Sequence, residues 1–325
     1  MPDRPILVTG AAGFIGSTLA QALLQHGGPV IGIDNLNDYY DPSRKQANLE
    51  PFKNDAGFSF YRADIRDAQV ISDIFARHRP QAVAHLAAYG GVHYSIGRMQ
   101  LYHDVNLAGS INVIEAALAH EVEMFVFAST SSVYGNTTQL PFVETDPCNQ
   151  PLAPYPATKK AVEVLGHSYH NLHAFNFTVL RFFSVYGPRG RPDMMPYRVT
   201  DAIVRGEPVT LFDAGQMRRD WTYVDDVVAG IIAALETPLG YQIINLGRGE
   251  PVLMADFVGL IEQLVGSKAC LQTMPAPASE PKITCADISK ARQLLDYNPK
   301  TTVGDGLARL WDWYRRHACP QASSA

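Results

Sequence analysis

The sequence has few cysteines, and its four, Cys148, Cys270, Cys285 and Cys319, show none of the short spacings that gather thiolates on a metal. They read as free thiols, and no metal site is expected. No apolar run approaches the ~18–20 residues that a membrane-crossing helix needs, so no membrane is expected as a partner. Positive charge is not in surplus: 27 Lys+Arg stand against 32 Asp+Glu, a net −5, which argues against nucleic acid as a partner. The opening Met1-Pro2-Asp3-Arg4-Pro5 lacks the shape of a secretory leader, and a cytoplasmic location is expected. Repeats and low-complexity stretches are also missing, apart from residues 320–325, which read as a frayed tail. What remains, 325 residues at 46% hydrophobic and 18% charged, suits one large globular domain or two unequal ones.

After Pro5, Ile6-Leu7-Val8-Thr9 is a short continuous apolar run, the pattern of a strand buried on both faces. Gly10-Ala11-Ala12-Gly13-Phe14-Ile15-Gly16 follows at once, and residues 17–25 have helical periodicity. A glycine-rich turn between a strand and a helix lets the backbone approach a pyrophosphate, which then rests on the helix N-terminus. A second strand, Val30-Ile31-Gly32-Ile33, closes at Asp34. That is ~20 residues beyond the glycines, where a carboxylate meets an adenosine ribose. Asp34 can accept from the 2′-hydroxyl and repels a 2′-phosphate, and Asn35-Leu36 brings no arginine, so NAD is expected over NADP.

The alternation continues with strands expected at 58–61, 82–86, 124–128 and 178–181, and helices at 67–77, 105–120 and 161–171. This predicts an α/β fold with a Rossmann-type doubly wound parallel sheet. Ligands of such sheets bind beyond the carboxyl ends of the strands. Ala87, Ala88, the run Ser129-Thr130-Ser131-Ser132 and Tyr155 fall at that edge, while His85, inside a strand, reads as a packed or hydrogen-bonded core residue.

In Pro154-Tyr155-Pro156-Ala157-Thr158-Lys159-Lys160, a phenol and an ammonium stand at i and i+4 ahead of a helical segment, so both can face one site. A nearby ammonium favours the phenolate, lowering a pKa of about 10 and making Tyr155 a proton acceptor.

Thr9-Gly10-Ala11-Ala12-Gly13-Phe14-Ile15-Gly16, His85-Leu86-Ala87-Ala88, Ser129-Thr130-Ser131-Ser132-Val133-Tyr134-Gly135 and Tyr155-x-x-x-Lys159, in that order, resemble the extended short-chain dehydrogenase/reductase family. Within it the chain is most similar to the NAD-dependent nucleotide-sugar 4-epimerases, and among them the UDP-glucuronate 4-epimerases. Arg181-Phe182-Phe183-Ser184-Val185-Tyr186-Gly187-Pro188-Arg189-Gly190-Arg191-Pro192-Asp193-Met194 and Arg218-Arg219-Asp220-Trp221-Thr222-Tyr223-Val224-Asp225-Asp226 carry that closer likeness. The resemblance implies NAD as cofactor, Tyr155 as base, and Lys159 on the nicotinamide ribose. It implies Thr130 at the sugar 4-oxygen with Ser132 beside it, Asp64 and Ile65 at the adenine, and Asn106 near the cofactor. Gly10, Gly13, Phe14, Ile15, Gly16, Asp34, Asn35, Leu86, Ala87, Ala88 and Ser129 complete the expected cofactor contacts. The implied chemistry is oxidation at C4 to a 4-keto sugar, rotation, and reduction on the other face. Related dehydratases place an Asp-Glu pair after the threonine, and related decarboxylases a Glu before Val-Tyr-Gly. Ser131 and Ser132 stand there instead and are poor acid–base groups, which favours epimerisation.

In the second half the alternation loosens, with helices expected at 197–205, 254–265, 290–295 and 303–317. A smaller mixed α/β substrate-binding domain is expected over about 182–220 plus 249–319, with 1–181 plus about 221–248 forming the NAD-binding domain. By the resemblance Arg219 meets the diphosphate and Glu280 the uridine ribose. Ser184 and Arg191, with Thr130 and Ser132, grip a hexuronate carboxylate, and Val209 is a further substrate contact. Asp225 and Asp226 are read as caps of a helix starting at Val227. The segment Tyr89-Gly90-Gly91-Val92-His93-Tyr94-Ser95 departs from the likeness, which leads one to expect Gln, Ala and Arg at positions 89, 90 and 93. That loop leaves UDP-glucose or UDP-N-acetylglucosamine 4-epimerisation as a rival reading. A non-catalytic NAD-binding sensor is a second rival, disfavoured by the intact Thr130, Tyr155 and Lys159. A homodimer through helices near 105–120 and 157–171 is implied by the family alone.

Overall fold

The computed structural model describes residues 4–277 and 280–318, so the tail expected at 320–325 and Cys319 lie outside the described residues. Strands β1 (Ile6–Thr9) and β2 (Val30–Asp34) are apolar because they are buried along their whole length. β3 (Phe58–Arg62), β4 (Ala82–His85), β5 (Met124–Thr130) and β6 (Phe177–Phe182) follow, each separated by helix. Beyond them come β7 (Ser184–Tyr186), β8 (Pro208–Phe212), β9 (Arg218–Tyr223), β10 (Tyr241–Leu246), β11 (Pro251–Leu253) and β12 (Cys270–Met274).

A seven-stranded, wholly parallel sheet runs β10-β6-β5-β4-β1-β2-β3. The chain steps outward from β1 to β3 and then reverses to β4, which opens a crevice at the carboxyl ends of β1 and β4, where such folds bind ligands. The sheet has one strand more than the sequence pattern showed, because β10 follows a helix in the second half and adds itself beside β6. Two apolar layers cover the sheet, with Leu7, Ile31 and Val83 in one and Ile6, Val8 and Val30 in the other. The smaller sheets are β11-β9-β7 and β12-β8. Trp221, Thr222 and Tyr223 pair in register with Ser184, Val185 and Tyr186, so the return to the large sheet begins after β9 rather than at Trp221.

Three local expectations change. The helix Phe14–Gln25 starts three residues early, with Gly13 extended before it and no side chain capping its first turn, which leaves amides free for an anion. The stretch expected as one helix over 105–120 is π-helical at His103–Gly109 and α-helical only over Ser110–Ala119. A widened turn of this kind is common at functional sites, and here it holds Asn106. Asp225 and Asp226 do not cap: the helix is Val224–Glu236, with Tyr223 as its uncapped N-terminus. Both lie in its first turn, favourable against the helix dipole. The Asp226 carboxylate accepts from the amides of Lys300 and Thr301 at 3.1 Å each.

Candidate active site

The glycine turn is built for close approach. Gly10 has φ +72°, and a Cβ there would lie 2.9 Å from the Ala87 amide nitrogen. A Cβ on Gly16 would lie 2.1 Å from the Gly10 carbonyl oxygen, so only glycine lets the helix start this near the turn. Asp34, at the end of β2, is fixed by the amides of Ala12 (3.1 Å) and Leu36 (2.8 Å). Beside it is a residue that sequence reasoning passed over: buried Lys45, 3.6 Å from the Asp34 carboxylate and 2.8 Å from Asn37 Oδ1. Burial lowers the Lys45 pKa and Asp34 opposes that shift. A signal for it was present, since Asp41-Pro42 is a helix start and Lys45 lies in the first turns of the helix Pro42–Leu49.

Gly10, Gly13, Phe14, Ile15, Gly16, Asp34, Asn35, Asp64, Ile65, Leu86, Ala87, Ala88, Ser129, Tyr155, Lys159 and Arg191 line one cleft, joined by Tyr39, Tyr40, Lys45 and Gly90. Two of these side chains are already committed. Asp64 takes the Arg66 fork at 2.9 and 2.8 Å and Asn35 Nδ2 at 2.9 Å, and the Arg66 bonds hold its carboxyl down at about 2. The Ser129 hydroxyl donates to buried Glu163 at 2.6 Å, so it is not offered to the cleft. Asn106 stands behind the wall, bonded through both ends of its amide to the Tyr89 backbone at 2.8 and 2.9 Å. His85 is a buried core residue between Thr9 (2.7 Å) and Ser110 (2.9 Å), and burial pushes its pKa down to about 3.

Tyr155 and Lys159 share the helix Pro154–His173, one turn apart. Lys159 Nζ donates to the Ala128 carbonyl at 2.8 Å, and burial pulls its pKa down to about 7, with Glu163 opposing. The expectation that Lys159 lowers the Tyr155 pKa is not met. Burial raises that pKa instead, and the groups drawing it down are Arg191, by charge, and Thr130, by a hydrogen bond. The reason is that Lys159 is itself desolvated and engaged with the backbone, whereas the permanently charged Arg191 faces the phenol.

Arg191 is held by a two-point fork to Asp193, at 3.0 and 2.8 Å, and its guanidinium lies 5.3 Å from the Tyr39 ring centroid. Thr130 ends β5, and its Oγ1 accepts from the Ser132 amide at 3.1 Å and donates to Ser132 Oγ at 3.2 Å. Ser184 opens β7, two residues beyond Phe182 of the cleft wall. The remaining substrate candidates are not part of this wall. Arg219, nine-tenths buried on β9, is paired with Glu280 at 2.5 Å. Val209 is 4% exposed in the core, its β8 backbone paired with Leu271, and offers no side chain to a ligand here.

A family model described as NAD dependent epimerase/dehydratase matches residues 6–247. The chain belongs to this family. A UDP-glucuronate 4-epimerase of Thermodesulfobacterium geofontis is 41% identical over 312 residues, covering 96% of each chain. The crystal structure of a Bacillus cereus UDP-glucuronic acid 4-epimerase, in complex with UDP-glucuronic acid and NAD, superposes with a TM-score of 0.90 at 38% identity. It covers 96% of this chain and 99% of that one. A Thermotoga maritima UDP-glucose 4-epimerase with UDP-glucose gives 0.88 at 30% identity, covering 96% and 99%.

The cofactor of this NAD dependent epimerase/dehydratase fits the residues present. Bare glycines at 10 and 16 let the turn, the Leu86–Ala87 backbone and the helix close on one another at the cleft, the helix has uncapped amides, and buried Asp34 stands at the end of β2. Two cations that the sequence argument did not count stand near Asp34: buried Lys45, 3.6 Å from its carboxylate, and Arg62, its register partner on β3.

Proposed function

We propose that this chain interconverts UDP-glucuronate and UDP-galacturonate by NAD-dependent epimerisation at C4. The observation that carries the substrate choice is Arg191: a guanidinium fixed in the cleft wall within electrostatic reach of Tyr155, on the motif shared with glucuronate epimerases. NAD, when bound, supplies a reversible hydride acceptor at its nicotinamide. The chain's own residues then have four tasks. Tyr155 takes the 4-hydroxyl proton as C4 becomes a carbonyl and gives it back when C4 is reduced. Thr130, beside Tyr155, turns its hydroxyl to the sugar 4-oxygen. Lys159 holds the nicotinamide ribose, and Gly10, Gly13, Phe14, Ile15 and Gly16 take the pyrophosphate, with Asp34 on the adenosine ribose.

The fourth task is peculiar to a uronate. A 4-keto sugar with a C5 carboxylate is a β-keto acid, which loses carbon dioxide when its C5–C6 bond lines up with the carbonyl π system. Arg191, Ser184, Thr130 and Ser132 hold the carboxylate out of that alignment, and Ser131 and Ser132 put no acid or base beside C5. At the other end Arg219 receives the diphosphate and Glu280 the uridine ribose. Residues 1–181 with 224–248 serve NAD, and 182–223 with 249–319 serve the sugar nucleotide.

A homodimer belongs to this reading, supported by Val164 and Leu172, which are 56% and 72% exposed on the helix Pro154–His173. So does the cytoplasm, supported by free Cys148, Cys270 and Cys285. The substrate assignment is tested by comparing UDP-glucuronate with UDP-glucose and UDP-N-acetylglucosamine at equal concentration. Glucuronate is expected to lead in kcat/KM by about tenfold or more, the worth of one charged hydrogen bond. Equal or better turnover of an uncharged hexose moves the assignment to the hexose epimerases.

A further inference from the structure

The loop that departs from the family likeness reaches across the molecule. His93, at the end of the loop after β4, places Nε2 2.8 Å from Glu280 Oε1, 187 residues away in sequence. The other oxygen of the same carboxylate, Oε2, lies 2.5 Å from Arg219 NH2. Arg219 is on β9, in the small sheet with β7, whereas His93 is three residues from Gly90 of the cleft wall. Glu280 thus bridges an imidazole from the large-sheet half and a guanidinium from the small-sheet half. Exposure falls along the chain of contacts, from 52% for the His93 side chain through 21% for Glu280 to 10% for Arg219. The outer partner is therefore solvent-accessible and the inner one is not.

We propose that His93 is a positioning residue for the nucleotide end of the substrate: it holds Glu280 through the oxygen that Arg219 does not take, strapping the two halves together and keeping part of the carboxylate's charge off Arg219 so that a diphosphate can bind there. The inference rests on the sugar-nucleotide reading above, and the chemistry is electrostatic. A carboxylate bound only to Arg219 cancels the guanidinium that an anionic diphosphate needs. A carboxylate shared with His93 cancels it less, and its position is fixed from both sides. The strap lies at the nucleotide end, so its effect falls equally on UDP and on UDP-sugars and leaves the Tyr155 chemistry alone.

The test is a double-mutant cycle on the full chain, read as the UDP dissociation constant by calorimetry, with kcat for UDP-glucuronate measured alongside. H93A is expected to weaken UDP binding about two- to fivefold, the range of a half-exposed hydrogen bond to a carboxylate, without changing kcat at saturation. In an E280Q background the same H93A change is expected to have no effect, and H93R is expected to restore affinity. An unchanged UDP constant in H93A, or an equal loss in both backgrounds, overturns the strap. A loss confined to UDP-glucuronate, with UDP unaffected, also overturns it by moving His93 to the sugar end. Failure of the unaltered chain to bind UDP at all overturns the sugar-nucleotide reading instead.

Discussion

Arg191 occupies the space that a side chain at Gly90 would need: a Cβ on Gly90 would lie 2.3 Å from Arg191 NH1. The guanidinium is therefore seated against bare backbone, with Asp193 on its fork and Tyr39 beneath it. Gly90→Ala should push Arg191 out of that seat. If Arg191 binds the uronate carboxylate, KM for UDP-glucuronate rises about tenfold in G90A, as for one charged hydrogen bond, while UDP affinity is unchanged. An unaltered KM contradicts the seat's importance.

Arg191 also sets the base. Burial raises the Tyr155 pKa and Arg191 is the first group that lowers it. Removing the cation removes stabilisation of the phenolate, so the Tyr155 pKa rises further in Arg191→Ala. Activity needing the deprotonated phenol then appears at higher pH, and the ascending limb of kcat/KM should shift upward. A limb that stays in place would assign the control of Tyr155 elsewhere.

Tyr155→Phe removes the proton acceptor and leaves the cradle intact. Turnover is expected to fall about 10²–10⁴-fold, with bound NAD unchanged when the protein is denatured and its nucleotide quantified. Substantial turnover in this variant sinks the base assignment.

Lys159 stores a pH-dependent instability. Its pKa is about 7 in the folded chain against an ordinary 10.5. Above pH 10.5 the amine is neutral folded and unfolded, and it contributes nothing to the pH dependence. As pH falls toward 7 the unfolded chain binds a proton that the folded chain resists, so stability is lost, and below 7 the loss is complete. Lys159→Met has no such proton, so its melting temperature relative to the parent should be highest near pH 6–7 and should decline toward pH 10. A constant difference across that range contradicts the buried-amine account.

Asp34 and Lys45 stand 3.6 Å apart at the ribose end. Without the carboxylate, the lysine faces a 2′-phosphate unopposed. Asp34→Ala should therefore carry less NAD and acquire NADP, seen by chromatography of the extracted nucleotide. Unchanged exclusion of NADP would mean that shape rather than charge selects the cofactor.

Much of this was legible in the sequence because local chemistry dictates it. Apolar runs gave the parallel strands, glycines between strand and helix gave the cradle, and i, i+4 spacing placed Tyr155 with Lys159. What escaped depends on contacts between distant segments. The sequence pattern returns the β10 segment to the large domain, but neither its choice of β6 as partner nor the Gly90–Arg191 fit has a local signature, since each pairs residues far apart in the chain. The direction of the Tyr155 shift escaped for the same reason: burial and Arg191 come from tertiary packing, whereas the sequence showed only Lys159. Asp225 and Asp226 misled because acidic residues suit both a cap and a first turn, and the turn won when Val224 became helical.

The activity predictions above depend on NAD-dependent inversion of a uronate at C4. The most direct measurement incubates the purified protein with UDP-glucuronate, adding no cofactor, and resolves the products by chromatography and proton NMR. The expected product is UDP-galacturonate with all carbons retained. A pentose product with released carbon dioxide, or no product even with NAD supplied, would contradict that expectation.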